Sequence, residues 1–376
     1  MTNLEINLQT ILTEKDEKIL PENIKKDVSI LGVTGNYEGE YNAKIEDYNG
    51  GELYHYITKV ANVNIEGNAN YMFSNFWALN EIKNFGTSNI TNMQALFYAC
   101  ENLVTIPPLD TRKVTNMQQM FALCKKIVEM IHIDTSNVTN MQSMFASCSS
   151  LTTIPLLDTS NVTDMSGMFS SCSSLTTVPL LNTTSVTNMQ SMFASCSSLT
   201  TVPLLDTSNV IHMYGMFADC KNLTEIPLLD TSNVTSMSQM FMRCTSLATI
   251  PLLNTTSVTD MQNMFNGCSS LTTIPQLDTS NVTSMSQMFY NCKSLTTIPQ
   301  LDTSRVTNMH SMFSNCTSLS DESLNNILTM CANATKITNS SYKTLKYIGL
   351  TSAQATTCTT LSNYEAFTAA GWTTGY

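Results

Sequence analysis

A fixed 24-residue repeat constrains the fold of this chain more than any other feature of its sequence. One cysteine marks the period, because it recurs at this spacing along most of the chain: Cys100, Cys124, Cys148, Cys172, Cys196, Cys220, Cys244, Cys268, Cys292 and Cys316. A unit this short cannot bury its own apolar side chains, so successive copies must stack and share a core. The sequence therefore predicts a solenoid of about ten coils.

Each repeat has an extended half and a compact half. In the copy LTTIPLLDTSNVTDMSGMFSSCSS, the apolar residues that recur are Leu151, Ile154, Leu157, Val162, Met165, Met168, Phe169 and Cys172. The first half contains β-branched residues and a proline, which favours an extended segment that ends in the turn DTSN. In the second half, the spacing i, i+3, i+4 and i+7 predicts a short α- or 3₁₀-helix with Thr163 as its N-cap. The predicted fold class is an α/β solenoid, right-handed as strand connections usually are.

The period also shows where the repeat array begins and ends. We assign residues 70–319 to the solenoid. Residues 320–376 lose the period, and Ser320 followed by two acidic residues predicts a helical cap on the last coil. Residues 1–40 are too few for a core of their own and are predicted to be an attachment or oligomerisation module. Residues 41–69 form a linker and the start of the N-terminal cap.

The composition excludes several classes of partner. Only 12% of the residues are charged, and the net charge of −11 has the wrong sign for binding nucleic acid or an anionic membrane. No apolar stretch reaches the ~18 residues of a transmembrane helix, and the first residues, MTNLEINLQT, show no signal peptide. We therefore expect synthesis in a reducing cytoplasm, where the cysteines stay free.

The recurring cysteines and methionines are interpreted as core residues. A ladder of thiols one coil apart could also hold a metal or form disulfides. Metal sites, however, show pairs of ligands two to four residues apart in sequence, and this chain has no such pairs. The four histidines lie in separate parts of the chain with no recurring acid or nucleophile beside them. The sequence predicts no catalytic residue, metal site or cofactor, and therefore a protein that is not an enzyme.

A second recurring position carries an acidic or amide side chain in the turn after the extended half. This turn ladder consists of Asp110, Asp134, Asp158, Asn182, Asp206, Asp230, Asn254, Asp278 and Asp302. Stacked carboxylates ~5 Å apart repel each other by ~0.8 kcal/mol in water, and a row of calcium ions would relieve that repulsion. Asparagine also occupies the position, and an Asx turn needs only a side-chain oxygen that accepts from the backbone. We therefore interpret the ladder as structural.

The repeat LxxIPxLDTSNVTxMxxMFxxC resembles the BspA-type, leucine-rich-repeat-like repeats of bacterial surface proteins over residues 70–320. This resemblance implies a leucine-rich-repeat-like stack, surface display and adhesion, and it names no ligand. The N-terminal LQTILTEKDEKILPENIKKDVSILGVTGNYEG resembles the start of tail proteins of phages and phage-like particles of Gram-positive bacteria. The C-terminal AGWTTGY is similar to endings in the same group.

Together these resemblances imply a tail fibre or receptor-binding protein of a phage or phage-like particle, located in the virion tail after assembly in the host cytoplasm. It would attach to other tail or baseplate proteins through residues 1–40, form a homo-oligomer, and bind a host-surface glycan or protein through the solenoid. Tyr98, Tyr214 and Tyr290 stand at solvent-facing positions and are candidate receptor contacts. The alternatives are a purely structural baseplate or decoration subunit and a BspA-type surface adhesin.

Overall fold

The computed structural model describes residues 29–30, 33–34, 59–65 and 67–375 of the chain. Apart from two short strands, the predicted attachment module, residues 1–40, lies outside the described residues. Its predicted role in oligomerisation or attachment therefore stays a prediction.

The described residues divide into two compact units. The first unit extends to Val162 and includes Ser171–Ser173, and the second contains Thr163–Ser170 and the residues from Ser174 onward. Stacked coils joined by parallel backbone hydrogen bonds form most of both units. The predicted repeat architecture is thus confirmed within each unit.

The first unit also contains two pairs of strands. Strand β1 (Ser29–Ile30) pairs with β2 (Val33–Thr34) in antiparallel orientation. Strand β3 (Lys59–Asn64) pairs in parallel with β4 (Glu81–Gly86), about one repeat later in the chain. This pairing begins the coil-on-coil stacking of the first unit.

Alternate residues of the compact half join neighbouring coils through their backbone. In the second unit, the N–H groups of Met189, Ser191 and Phe193 donate to carbonyl groups of the next coil at 2.9–3.0 Å. Of the N–H groups that alternate with these, those of Met192 and Ala194 donate to the carbonyl three residues earlier at 3.2 and 3.1 Å. The N–H of Gln190 donates to the side-chain Oδ1 of Asn188 at 3.1 Å. The backbone donors of this segment are therefore satisfied partly within the coil and partly by its neighbour.

The compact half is a run of tight turns, so the predicted short helix is wrong. An α-helix bonds each interior N–H to a carbonyl four residues earlier, which leaves no donor for the next coil. Here two positions per coil have left-handed backbone, such as Ser191 with φ of 53° and Ser195 with φ of 62°. These residues interrupt the helical path. Thr163, the predicted N-cap, instead accepts from the N–H of Thr187 through its carbonyl at 3.0 Å.

The coils contribute β-bridges rather than helices to the fold, which corrects the α/β description of the repeat. Single parallel bridges link equivalent positions of neighbouring coils, as between Asp164 and Asn188. The extended half adds few such pairs, for example Thr273 with Thr297. Within the described residues, helices occur only after Ser320. The right-handed sense of the stack stays a prediction.

Stacked phenylalanine rings form the centre of each unit. In the second unit, ring centroids of neighbouring coils lie 5.6–5.9 Å apart along the series Phe169, Phe193, Phe217, Phe241, Phe265, Phe289 and Phe313. The first unit repeats this arrangement from Phe73 to Phe145 at 5.6–5.8 Å. The recurring valines, methionines and cysteines around the rings are fully buried. Each ring packs on copies of itself, so this core forms only when the repeats stack.

The C-terminal part of the second unit is helical, with α1 (Asp321–Asn333), a 3₁₀ turn (Ser340–Tyr342), α2 (Leu345–Ile348), α3 (Ser352–Cys358) and α4 (Tyr364–Ala369). Ser320 is the N-cap of α1, as predicted, because its side chain accepts from the N–H of Ser323. One face of α1, including Leu324 and Ile327, is buried. None of the helices in the described part of the chain is long and apolar enough to cross a membrane.

The short helix α2 stands where a further coil would follow. The N–H groups of Ser311 and Phe313 donate to the carbonyls of Tyr347 and Ile348 at 2.9 and 2.8 Å. Equivalent N–H groups in interior coils donate to the next coil. The C-terminal segment thus accepts the hydrogen bonds that the last coil has no further copy to receive.

Candidate ligand-binding face

The ten recurring cysteines face the inside of the coils. All are fully buried, and each thiol donates to the carbonyl of a phenylalanine from the preceding coil, as Cys244 does to Phe217 at 3.1 Å. Burial raises the pKa of the Cys268 thiol to about 12, so the neutral thiol persists at physiological pH. The described residues contain no group of three or more side chains suited to hold a metal ion. The geometry is that of packing groups.

The burial of these thiols predicts that the folded protein resists alkylation. At about pH 8 an exposed cysteine reacts readily, because part of it is thiolate. We expect iodoacetamide to leave the twelve cysteines of the native chain unmodified and to modify all of them in guanidinium, as measured by mass spectrometry. Rapid native labelling of any ladder cysteine would contradict the buried placement.

The turn ladder forms Asx turns. In the second unit, Oδ1 of Asp206 accepts from the N–H of Ser208 at 3.0 Å and from its hydroxyl at 2.6 Å. Asn182 makes the same two contacts with Thr184 at 3.2 and 2.8 Å. The hydrogen bond from the Ser208 hydroxyl lowers the pKa of Asp206 most, and the hydrogen bond from the Ser208 N–H lowers it further. An amide and a carboxylate thus serve the same turn.

These hydrogen bonds predict a loss of stability in acid. The folded pKa of Asp206, Asp230 and Asp278 lies below the ordinary value of 3.8, so their contribution is complete above that pH. It is lost as pH falls through the lower folded value. We expect the melting temperature to drop below about pH 4, and to drop less in the triple aspartate-to-asparagine variant, since asparagine keeps the turn. Equal acid sensitivity of the two proteins, followed by calorimetry, would contradict this assignment.

The three tyrosines predicted as receptor contacts do not occupy one shared position. Tyr98 belongs to the first unit, whereas Tyr214 and Tyr290 belong to the second. Tyr214 is exposed, and Tyr98 and Tyr290 are half-buried. Tyr214 follows a buried methionine and Tyr290 follows a buried phenylalanine, so the two stand at different positions of the repeat. Their role as receptor contacts stays a prediction.

A row of exposed leucines was missed by the sequence analysis. In the second unit this leucine strip consists of Leu180, Leu204, Leu228 and Leu252, which are 63–65% exposed. The extended half explains the exposure, because Leu228 and Asp230 alternate with the buried Leu229 and Thr231. The following coils carry Gln276 and Gln300 at the strip position. The change from leucine to glutamine indicates in the sequence that this position is exposed, since a buried core position would not accept glutamine.

Carboxylates lie directly beside the leucine strip. Asp206 and Asp230 follow Leu204 and Leu228 by two residues and therefore point to the same side of the extended segment. Their Oδ1 atoms accept from serine, while their Oδ2 atoms make no hydrogen bond within the described part of the chain. A shallow groove of about 630 Å³ runs along this side, and Leu252 is among the residues that line it. The face combines apolar surface with acceptor groups open to solvent.

The chain resembles solved structures of leucine-rich repeat proteins at low identity. A leucine-rich repeat protein from Bacteroides ovatus is 17% identical, with 70% of this chain and 77% of that chain covered and a TM-score of 0.36. A leucine-rich cell surface protein from Faecalibacterium prausnitzii is 20% identical, with coverage of 64% and 82% and a TM-score of 0.35. The leucine-rich repeat protein of T. pallidum is 18% identical, with coverage of 54% and 77% and a TM-score of 0.32.

The sequence itself assigns a family. No curated protein matches the chain. The family described as Mycoplasma protein of unknown function, DUF285, matches residues 67–178, 152–249, 172–272 and 247–345. These overlapping matches cover most of the chain and the whole of the periodic region. The chain therefore belongs to the family described as Mycoplasma protein of unknown function, DUF285.

Proposed function

We propose that the chain is a non-enzymatic surface protein of the adhesin type, which binds a macromolecule through the exposed face of its stacked coils. The observation that carries this proposal is the leucine strip with its flanking carboxylates. Positions that build the coils are buried or hydrogen-bonded within the stack, whereas the strip is neither. A repeated exposed surface of this kind is the recognition element that solenoid proteins use.

The stack suits binding to an extended ligand. Within each unit, backbone hydrogen bonds join neighbouring coils, so the exposed positions are held in place before a ligand arrives. Equivalent positions repeat at every coil, which offers several weak contacts at once. The BspA-type character of the repeat supports the same proposal, since surface display and adhesion are what that resemblance implies.

A second candidate function is that of a tail fibre or receptor-binding protein of a phage-like particle. It is favoured by the resemblance of the segment LQTILTEKDEKILPENIKK to the start of phage tail proteins. In that case the N-terminal module would attach to tail or baseplate proteins, and the coils would meet a glycan or protein of the host surface. Oligomerisation through the same module belongs to this proposal.

Immunogold labelling separates the two candidates. Antibodies against the purified chain are applied to intact cells that produce it and to particles purified from lysates of those cells. We expect label on the outer surface of the intact cells. Label confined to the cell interior would contradict the adhesin proposal, and label on particle tails would select the second candidate.

A further inference from the structure

The leucine strip exposes more apolar surface than its coils need. Leu204 and Leu228 are 64% and 65% exposed, and each stands between a half-buried proline and a buried leucine. Gln276 and Gln300 occupy the equivalent position of neighbouring coils, so a coil folds without leucine there. Four adjacent coils of the second unit nevertheless carry leucine. A contiguous apolar strip on a polar surface is typical of a docking site.

Negative charge lies along one side of the leucine strip. The turn segments that carry the strip contain no basic residue to neutralise it. The four turn segments that carry the strip read PLLNTT, PLLDTS, PLLDTS and PLLNTT, with two aspartates and no lysine, arginine or histidine. The next two segments, PQLDTS in both cases, continue the row with Asp278 and Asp302. A complementary partner therefore carries cationic side chains next to apolar ones.

The spacing of the coils selects the secondary structure of that partner. Parallel coil-to-coil hydrogen bonds of the compact half repeat at ~4.8 Å. The stacked rings of neighbouring coils lie 5.6–5.9 Å apart, so the strip presents one leucine every ~5–6 Å. An α-helix laid along the strip presents one apolar side chain per turn of 5.4 Å and drifts by only about 2 Å over three intervals. An extended strand presents same-face side chains ~6.7 Å apart and drifts by ~2–5 Å. A helix therefore stays closer in register with the leucines than a strand does.

We propose that the leucine strip is a docking site for a basic amphipathic helix of a partner protein. One apolar side chain per turn packs on Leu180, Leu204, Leu228 and Leu252. Lysine or arginine side chains on the flank of the helix pair with Asp206 and Asp230 through their open Oδ2 atoms. This inference rests on the proposed function and adds the chemical class of the ligand and the residues that bind it.

A designed peptide tests the site on the full chain. The probe is a fluorescein-labelled amphipathic helix of about four turns, with one leucine per turn and lysines along the flank. Its controls are a scrambled peptide of identical composition and a version with glutamate in place of lysine. We expect fluorescence anisotropy to report binding of the basic helix and much weaker binding of both controls. Absence of binding, or equal binding of the scrambled peptide, would overturn the proposal.

Variants that copy residues from sibling coils locate the site without disturbing the fold. Leu204→Gln with Leu228→Gln introduces the residue of the next coils, and we expect about tenfold weaker binding or more, because two apolar contacts are lost. Asp206→Asn with Asp230→Asn keeps the Asx turn and is expected to weaken binding by about threefold to tenfold, most clearly at low salt. Unchanged affinity in both double variants would refute the assignment.

A charge-matched control lies at another position of the repeat. Asp164→Asn with Asp260→Asn also removes two negative charges, at a position where sibling coils carry Asn188 and Asn308. We expect this variant to bind the peptide within about twofold of the parent, since it is not beside the strip. If this variant loses as much affinity for the peptide as the Asp206 and Asp230 variant does, the effect comes from the overall charge of the protein. That result would overturn the proposed site.

Three further outcomes test the occupant of the strip and separate this inference from the adhesin proposal. If the chain dimerises in analytical ultracentrifugation and Leu204→Gln with Leu228→Gln abolishes the dimer, a second copy occupies the strip and the helix proposal is wrong. If that variant still binds cell surfaces as the parent does while the parent fails to bind the peptide, the adhesin function stands and the helix proposal falls. If the chain binds the peptide specifically but is absent from the cell surface, the helix proposal stands and the adhesin proposal falls.

Discussion

Replacing Phe217 by alanine is expected to destabilise the second unit by ~3–5 kcal/mol, the largest effect of any single change considered. The ring is fully buried between Phe193 and Phe241, with centroid distances of 5.7 and 5.9 Å and nearly parallel planes. Truncation leaves a cavity that two neighbouring coils share, and the rigid coil-to-coil hydrogen bonds limit its collapse. Guanidinium denaturation followed by circular dichroism measures the loss.

Two control variants separate the loss of buried volume at Phe217 from the loss of an apolar side chain in general. Phe217→Leu keeps most of the volume and is expected to cost clearly less than alanine. Leu204→Ala removes a comparable apolar side chain from the 64%-exposed strip and is expected to change the free energy of unfolding by no more than ~0.5 kcal/mol. A cost below ~1 kcal/mol for Phe217→Ala would mean that the rings do not hold the coils together.

Replacing Gly349 by alanine is expected to detach α2 from the last coil. Gly349 has a φ of 91°, and a Cβ added there would lie 2.6 Å from the backbone nitrogen of Ser314 and 2.7 Å from its Cα. Backbone atoms cannot rotate away, so the overpacking cost of ~1–3 kcal/mol adds to ~1–2 kcal/mol for the left-handed conformation. Hydrogen exchange should show reduced protection of the Phe313 amide, which donates to Ile348 at 2.8 Å.

Gly371→Ala is the matched control for this substitution. Gly371 has a similar φ of 82°, but the nearest atom to an added Cβ is the Nζ of Lys343 at 3.9 Å. Only the conformational cost applies, so the loss should stay near ~1–2 kcal/mol and the Phe313 amide should remain protected. Equal losses for the two glycine variants would show that the close approach to Ser314 does not matter.

The core and the helix after Ser320 could be predicted from sequence because both depend on local, repeated signals. Buried residues such as Val162, Met165 and Phe169 recur with the period, and only stacking buries them. The N-cap at Ser320 is a chemical signal within one turn of the helix it starts. Neither inference requires knowledge of distant contacts.

The turn structure of the compact half could not be predicted, because its i, i+3, i+4 and i+7 spacing is shared with a helix. The neighbouring coil decides between turns and a helix, because its carbonyls accept hydrogen bonds from N–H groups that would bond within the segment in a helix. A weaker signal was available in Gly167, Gly215 and Gly267, which stand at the left-handed positions with φ of 60°, 57° and 79°. Serine, asparagine and glutamine occupy the same positions elsewhere and conceal it.

The leucine strip was missed for a related reason. In the sequence PLLD, the second leucine was identified as a core position, as with Leu157, but the first was given no role. The alternation of an extended segment exposes the first, Leu228, and buries the second, Leu229. The candidate site therefore depends on one residue of register. The glutamines at the strip position in later coils mark it as exposed once the repeats are aligned with one another.

A crystal structure of the chain measures the stacking of the repeats directly. It should show Phe193, Phe217 and Phe241 as parallel rings with centroids 5.7–5.9 Å apart, and the thiol of Cys244 donating to the carbonyl of Phe217 inside a dry core. Rings from successive copies that lie apart from one another, or cysteine sulfurs that face solvent or bind a metal, would contradict the stacked-coil structure and the exposed face built on it.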